Sequence, residues 1–212
     1  MKIICIGRNY AAHIAELSGS GTGHSGGRRP LEPVFFIKPD SALLRNNDPF
    51  YIPDFSEQVD YECELVVRID RLGKCIDRRF ARRYYNEVGL GIDFTARDLQ
   101  RRAAAEGLPW TAAKGFDRSA AVSPEFVPIA ELGDVGNLRF ELEVDGEVRQ
   151  RGSTAEMIFG IDEIIAHVSR FMTLRTGDLI FTGTPQGVGP VARGNNLRAT
   201  LEGRLLLDFD IK

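Results

Sequence analysis

Glu62 and Glu64 stand one residue apart in the β-patterned run VDYECELVV. Successive side chains of a strand point to opposite faces, so a spacing of two sets both carboxylates on one face. Their Cα atoms are then roughly 6–7 Å apart, close enough for the oxygens to converge. Two like charges side by side repel, and the arrangement holds either on a solvated face or with a cation between them. Asp93 ends the apolar run VGLGI just before Thr95 and Arg97 open a helical pattern, a strand end of the kind that presents functional groups. Three carboxylates without a paired His or Cys cluster make a hard, all-oxygen ligand set that suits Mg2+ or Mn2+ over Zn2+. Three protein oxygens on an octahedral ion leave about three positions for water or substrate, the open coordination of a catalytic site.

Other segments add groups that such a centre uses. In NYAAHIAEL, His13 and Glu16 are three apart, which puts both on one face of a helix. A carboxylate beside an imidazole fixes its tautomer and raises its basicity, as a general base for water requires. Alone, such a pair is also an ordinary surface feature. Lys114, in WTAAKGFD, lies between Trp110 and Phe116, where an ammonium could meet negative charge developing on a substrate oxygen. Read without its neighbours it is an exposed loop lysine. GDLIFTGTPQGVGP is rich in Gly and Pro, a turn able to present amides and the Thr184 hydroxyl to a carboxylate. It lacks the Gly-x-x-x-x-Gly-Lys spacing of a nucleotide loop, so phosphate binding is not indicated.

The elements that must position these groups are short. Lys2 to Ile6, PVFFIKP, IPDF and VDYECELVVRID are β-rich and bounded by Pro, Gly or Asp. Asn9 to Leu17 has weak helical spacing, Arg78 to Glu87 predicts a short helix, and Val88 to Ile92 a strand. Thr95 to Glu106 predicts a helix ended by Gly107. LRFELEVDGEVRQ predicts a hairpin turning at Asp145-Gly146, followed by a helix over Ile161 to Phe171 and by strands in DLIFTGTP, LRATL and RLLLDFDI. Between them SGSGTGHSGGRR, residues 18–29, has too little apolar surface to pack and is expected to be a flexible loop, either a surface insertion or a lid. No strand–helix alternation of the doubly wound kind and no repeat occurs, which predicts an α+β, β-dominated single domain over 1–212.

Composition narrows the partners. The net charge of −3 arises from 27 basic and 30 acidic residues spread along the chain, with no footprint for nucleic acid. No window reaches the length of a membrane span and the leading apolar run is too short for a signal peptide, so a cytoplasmic protein is expected. Cys5, Cys63 and Cys75 show no CxxC spacing and are expected to be buried structural thiols.

Taken together, GRNYAAHIAE, PVFFIKP, DYECELVV, GIDFTARDLQ, PWTAAKGFD and GDLIFTGTPQGVGP resemble, in order and spacing, the fumarylacetoacetate hydrolase family, and its compact acylpyruvate hydrolase and oxaloacetate decarboxylase branch in particular. The resemblance implies the family's mixed β-sandwich roll, a homodimer, and Mg2+ or Mn2+ held by Glu62, Glu64 and Asp93. It also implies a catalytic His13–Glu16 pair on a lid and Lys114 near the oxygens of a small 2-oxo acid. Arg8, Gln100 and Thr184 are carried over as substrate-binding positions, while Lys38 lies in a matching motif without a role. Two departures bear on substrate choice: KGFD continues as RSAAVSPEF where the family has a Gly-Pro turn, and the 18–29 loop is long. The implied reaction is cleavage of an acylpyruvate, in which His13 activates water and the metal and Lys114 stabilise the departing pyruvate enolate. Decarboxylation of oxaloacetate would reach the same enolate without the water. Isomerisation, decarboxylation or dehydration of a 2-hydroxymuconate-type or sugar-derived acid stays open as well. A non-catalytic binding module on this scaffold would be free to lose the acidic and His/Glu groups, which are all present.

Overall fold

Ile3, Ile4, Cys5 and Ile6 are apolar at four consecutive positions, the pattern of a strand covered on both faces. In the computed structural model, which describes residues 1–19 and 29–212, they form a strand inside an eight-stranded sheet. The strands in chain order are β1 (Ile3–Gly7), β2 (Val34–Lys38), β3 (Leu43–Leu44), β4 (Val59–Tyr61), β5 (Cys63–Ile69), β6 (Tyr85–Asp93), β7 (Thr95–Ala96), β8 (Ala120–Val122) and β9 (Val127–Pro128). There follow β10 (Arg139–Val144), β11 (Glu147–Ser153), β12 (Leu179–Phe181), β13 (Gly189–Pro190), β14 (Asn196–Leu201) and β15 (Arg204–Asp210). The large sheet runs β2-β1-β12-β5-β6-β8-β3, with β9 beside β6. It is mixed, because β1 pairs β12 in parallel and β3 pairs β8 in parallel while the other pairs are antiparallel. Four strands, β11-β10-β14-β15, make a second sheet, and β13-β4-β7 a third.

Side-chain alternation divides the core between the two faces of the large sheet. Ile4, Ile6, Leu65, Val67, Leu90 and Ile92 face the four-stranded sheet, meeting Phe140, Leu142, Leu197 and Phe209. Ile3, Cys5, Val66 and Phe181 fill a smaller cluster on the opposite face. Each fully buried Val or Leu contributes roughly 1.5–3 kcal/mol, a reserve against which costly polar burial can be set.

The helices are α1 (Ala11–Gly19), α2 (Arg78–Ala81), α3 (Arg97–Glu106), α4 (Thr111–Lys114), α5 (Ile129–Leu132) and α6 (Ile161–Phe171). In α6, Ile161, Ile164, Ile165 and Val168 recur at helical spacing and are buried, with Asp162 and Glu163 in the first turn and Arg170 in the last, all as the helix dipole favours. Gly107 ends α3 in the left-handed conformation at φ 67°.

The β-dominated mixed fold expected from the sequence is therefore present, with local corrections. IPDF forms a turn and not a strand. The helix expected over Arg78 to Glu87 gives way to β6 at Tyr85, and α3 starts at Arg97 because Thr95 and Ala96 are drawn into a strand beside β4. The run VDYECELVVRID is interrupted at Glu62, which belongs to neither β4 nor β5. Cys75 is exposed, contrary to the expectation for all three thiols. Of the expected 18–29 loop, residues 20–28 lie outside the described residues.

Candidate metal centre and catalytic dyad

The interruption at Glu62 is what builds the centre. Glu64 lies on β5 opposite Gly91 of β6, and Asp93, the last residue of β6, donates its backbone N–H to the Glu62 carbonyl at 2.8 Å. The side-chain parity survives the break, so Glu62, Glu64 and Asp93 bring ligand atoms within 4.8 Å of one another, all three buried. Around them lie Asp60, Lys38, Arg97 and Lys114, also buried. Taking an ion out of water costs several kcal/mol, and a well-packed apolar substitute is often as stable. Seven buried ionisable side chains in one place are therefore not explained by packing alone.

The cations are specifically bound. Lys114, at the end of α4, donates to Glu62 Oε2 at 2.7 Å, Asp93 Oδ2 at 2.9 Å and Thr95 Oγ1 at 2.6 Å. It is a buried ion-pair partner and not the exposed loop lysine that its local sequence suggests. Arg97 bridges Asp60 at 2.8 Å and Glu62 at 2.6 Å and donates to Gln100 at 2.6 Å. Lys38, wholly buried, donates to the carbonyls of Phe94, Lys114 and Ser119 and to the Ser119 hydroxyl. Its ammonium is 2.8 Å from Asp93 Oδ1, an ion pair whose angle makes no hydrogen bond, so that buried oxygen has no hydrogen-bond donor among the described residues. Sequence reasoning left Lys38 without a role and missed Asp60, because nothing local signals which inward strand residue will meet a distant carboxylate.

Glu64 is the carboxylate with no cationic partner among the described residues. Its side chain accepts one hydrogen bond among the described residues, from the Gly183 N–H, 2.6 Å from Oε2. Gly183 has φ +100°, and a Cβ there would lie 2.7 Å from Asn9 Cβ, so only glycine allows this approach. Asn9 fixes the same region by donating to the Phe159 and Thr182 carbonyls at 3.0 and 2.7 Å. Burial, then Asp93 and Glu62, raise the Glu64 pKa well above the usual carboxylate range. Burial would also raise that of Glu62, but Lys114 and Arg97 outweigh it and hold Glu62 well below that range. The donor set fits a hard divalent cation: three converging carboxylates, one with an oxygen lacking a hydrogen bond and another lacking an ion pair among the described residues.

A proton must leave Glu64 when a cation enters. Its raised pKa means that the metal-free protein holds this proton above the ordinary carboxylate range, so Mn2+ affinity should rise with pH, by up to about tenfold per unit, until the raised value is passed. For stability without metal the sign is opposite: the contribution is complete below the unfolded carboxylate pKa and is lost as pH rises through the raised one. Calorimetric titration with Mn2+ in buffers of different ionisation enthalpy measures the released proton. A pH-independent affinity with no proton release would contradict the assignment.

On α1, His13 is buried and Glu16 is half exposed, with His13 Nδ1 3.4 Å from Glu16 Oε2. A carboxylate only accepts, so in this contact Nδ1 is the donor, which in the neutral ring leaves Nε2 as the acceptor. The hydrogen bond from His13, with the amides of Gly187 and Val188 adding to it against partial burial, lowers the Glu16 pKa. Gly187 donates to both Glu16 oxygens, at 3.1 and 3.3 Å.

His13, Arg8, Gln100 and Thr184 line one cavity with the three carboxylates and Lys114. Arg8 sits at φ 61°, a conformation costly for a residue with a Cβ, and its buried Nε has no hydrogen-bond partner among the described residues. The Thr184 hydroxyl is already engaged, donating to the Cys63 carbonyl at 2.9 Å.

A family model described as fumarylacetoacetate hydrolase C-terminal matches residues 2–208. The mitochondrial oxaloacetate tautomerase of Bos taurus is 40% identical over 211 residues, which cover 100% of this chain and 91% of that protein. The mitochondrial oxaloacetate decarboxylase of Dictyostelium discoideum is 41% identical over 212 residues, covering 100% and 92%. Among solved structures, fumarylpyruvate hydrolase from Pseudomonas aeruginosa in complex with Mn2+ and pyruvate matches with a TM-score of 0.89 and 37% identity, covering 100% of this chain and 89% of that one.

Proposed function

The chain belongs to the fumarylacetoacetate hydrolase family, and on that premise we propose that it cleaves the C–C bond of small acylpyruvates, giving pyruvate and a carboxylic acid. In this reading Glu62, Glu64 and Asp93 hold Mg2+ or Mn2+, and His13, Glu16 and Lys114 are catalytic. The observation that carries it is the placement of His13 in the wall of the cavity lined by the three carboxylates, with Glu16 on its Nδ1. The likeness to a hydrolase structure holding Mn2+ and pyruvate supports the choice of metal and of product.

When bound, the cation supplies Lewis-acid polarisation of the 2-oxo acid. The chain's own residues do the rest. His13 Nε2 takes a proton from water, which attacks the carbonyl distal to the carboxylate, while Glu16 orients the ring and stabilises it once charged. The bond between that carbon and the methylene breaks, and the methylene carbon recovers a proton to complete pyruvate. Lys114, fixed by Glu62, Asp93 and Thr95, keeps a positive charge beside the oxygen on which negative charge develops. Arg8, with no ion pair among the described residues, is suited to bind an anionic substrate group, and Gln100 and Thr184 to complete the pocket wall.

The oxaloacetate tautomerase and decarboxylase names of full-length relatives support a second reading, enol–keto exchange or decarboxylation of oxaloacetate. Exchange uses a proton transfer at C3 that His13 could carry, and decarboxylation needs no base. A single experiment tests both: metal-stripped enzyme with and without added Mg2+ or Mn2+ is given acetylpyruvate, oxaloacetate and the enol form of oxaloacetate. Metal-dependent pyruvate and acetate from acetylpyruvate are expected. Enol–keto exchange alone would establish the second reading, and inertness toward all three would remove both.

A further inference from the structure

Gln150, on β11, takes no part in the chemistry above, yet it is buried and touches both halves of the site's frame. Its Oε1 accepts the N–H of Cys63, the residue between the two metal-binding glutamates, at 2.9 Å. Its Nε2 donates to Thr184 Oγ1 at 2.8 Å and to the Pro185 carbonyl at 3.0 Å. Thr184 in turn donates to the Cys63 carbonyl, closing a ring of hydrogen bonds around that one residue. The turn held this way continues to Gly187, whose amide binds Glu16 and whose missing Cβ would lie 2.2 Å from the carbonyl oxygen of Arg149, the neighbour of Gln150.

We propose that Gln150 is a positioning residue that fixes the kink between Glu62 and Glu64 and, through the 184–187 turn, sets that kink in register with the Glu16 end of the dyad. The physical need is clear from the sheet. At Glu62 the chain leaves the three-stranded sheet and at Cys63 it enters the eight-stranded one, so regular ladder bonding cannot hold the junction. A side-chain amide offers an acceptor and two donors in one plane, which suits a site where a backbone N–H, a hydroxyl and a carbonyl must be tied together. Groups that orient ligands from behind in this way commonly change metal affinity or activity by about 10- to 100-fold when lost. The proposal rests on the reading of Glu62, Glu64 and Asp93 as metal ligands.

The test is Gln150→Met, close in shape but unable to make these hydrogen bonds, beside Thr154→Val. Thr154 is also buried, accepts the Leu138 N–H and donates to the Val135 carbonyl, both at 2.8 Å, and does not line the cavity. The expected result for Gln150→Met is Mn2+ binding weakened about 10- to 100-fold, a lower kcat at saturating Mn2+ and substrate, and faster amide exchange at 184–188 in the metal-free protein. Thr154→Val should lower the melting temperature and leave the other readouts unchanged. Should the Met variant not fold, Gln150→Asn, shorter by one methylene and still polar, carries the same measurements. Wild-type Mn2+ affinity and kcat in the Gln150 variant, or equal losses in Thr154→Val, would overturn the proposal. If the wild-type protein itself fails to bind Mn2+, the metal reading falls, and unchanged exchange at 184–188 then overturns the role of Gln150 on its own.

Discussion

Glu64→Ala is expected to abolish turnover of acylpyruvate and oxaloacetate alike, by at least about 10³-fold, because a metal ion's charge stabilisation is worth several kcal/mol in the transition state. The same change should have an unusual effect on stability. In the metal-free protein burial, then Asp93 and Glu62, make an ionised Glu64 costly, so removing this carboxyl relieves that cost, offsets the lost Gly183 hydrogen bond and should leave the melting temperature of metal-stripped protein little changed. What it should remove is the increment that Mn2+ adds. Binding to the native state alone stabilises by about 2.7 kcal/mol at a hundredfold excess over Kd, and that gain is lost with the ligand. Melting curves of wild type and variant, each with and without Mn2+, separate the two effects. A variant that kept both the Mn2+ increment and the activity would show that the cation binds elsewhere.

For His13→Ala the expected loss is roughly 10²–10⁴-fold in acylpyruvate hydrolysis, the usual worth of a positioned general base, with Mn2+ affinity retained. The His13 ring pairs with Glu16 and, among the described residues, hydrogen-bonds none of the three ligand carboxylates, which is why the metal should remain. Oxaloacetate decarboxylation, which needs the charge sink but no activated water, should keep a larger share of its rate, so the ratio of the two activities shifts toward decarboxylation. Hydrolysis at the wild-type rate with metal still bound would mean that another group activates the water. Parallel loss of both activities would instead favour a proton transfer shared by both reactions.

How much of this was readable from the sequence depended on whether the deciding interaction was local. The Asp145-Gly146 turn was legible because its two left-handed residues, at φ 54° and 78°, admit few residue types. The helix over Ile161–Phe171 was legible because its apolar period is complete within the segment. The convergence of Glu62, Glu64 and Asp93 followed from alternation and from a strand end. The kink at Glu62 did not, because apolar and polar residues keep their alternation straight through it, and the partners that divert the chain, Gln150 and Thr184, lie more than 80 residues away. Lys38 and Arg97 were opaque for the same reason: a charged residue in a strand or at a helix start is ordinarily solvated, and only tertiary contacts with Asp93, Asp60 and Glu62 account for their burial.

The pairing of β1 with β12 bears on how the chain reaches this state. Ile3 lies opposite Leu179 and Cys5 opposite Phe181, and the link is reinforced by Lys2, whose amide donates to Asp178 across 176 residues of sequence. Closing so long a loop is entropically expensive and is rewarded only when both ends are present, which places this topology among the slower folders. During synthesis the apolar IICIG and VFFIK segments can pair with each other as a hairpin-like unit, but the inner edge of β1 must wait for β12. That unpaired apolar edge is an aggregation hazard of the nascent chain, and chaperone demand in this protein should concentrate on its first forty residues rather than on the sheet that carries the catalytic groups.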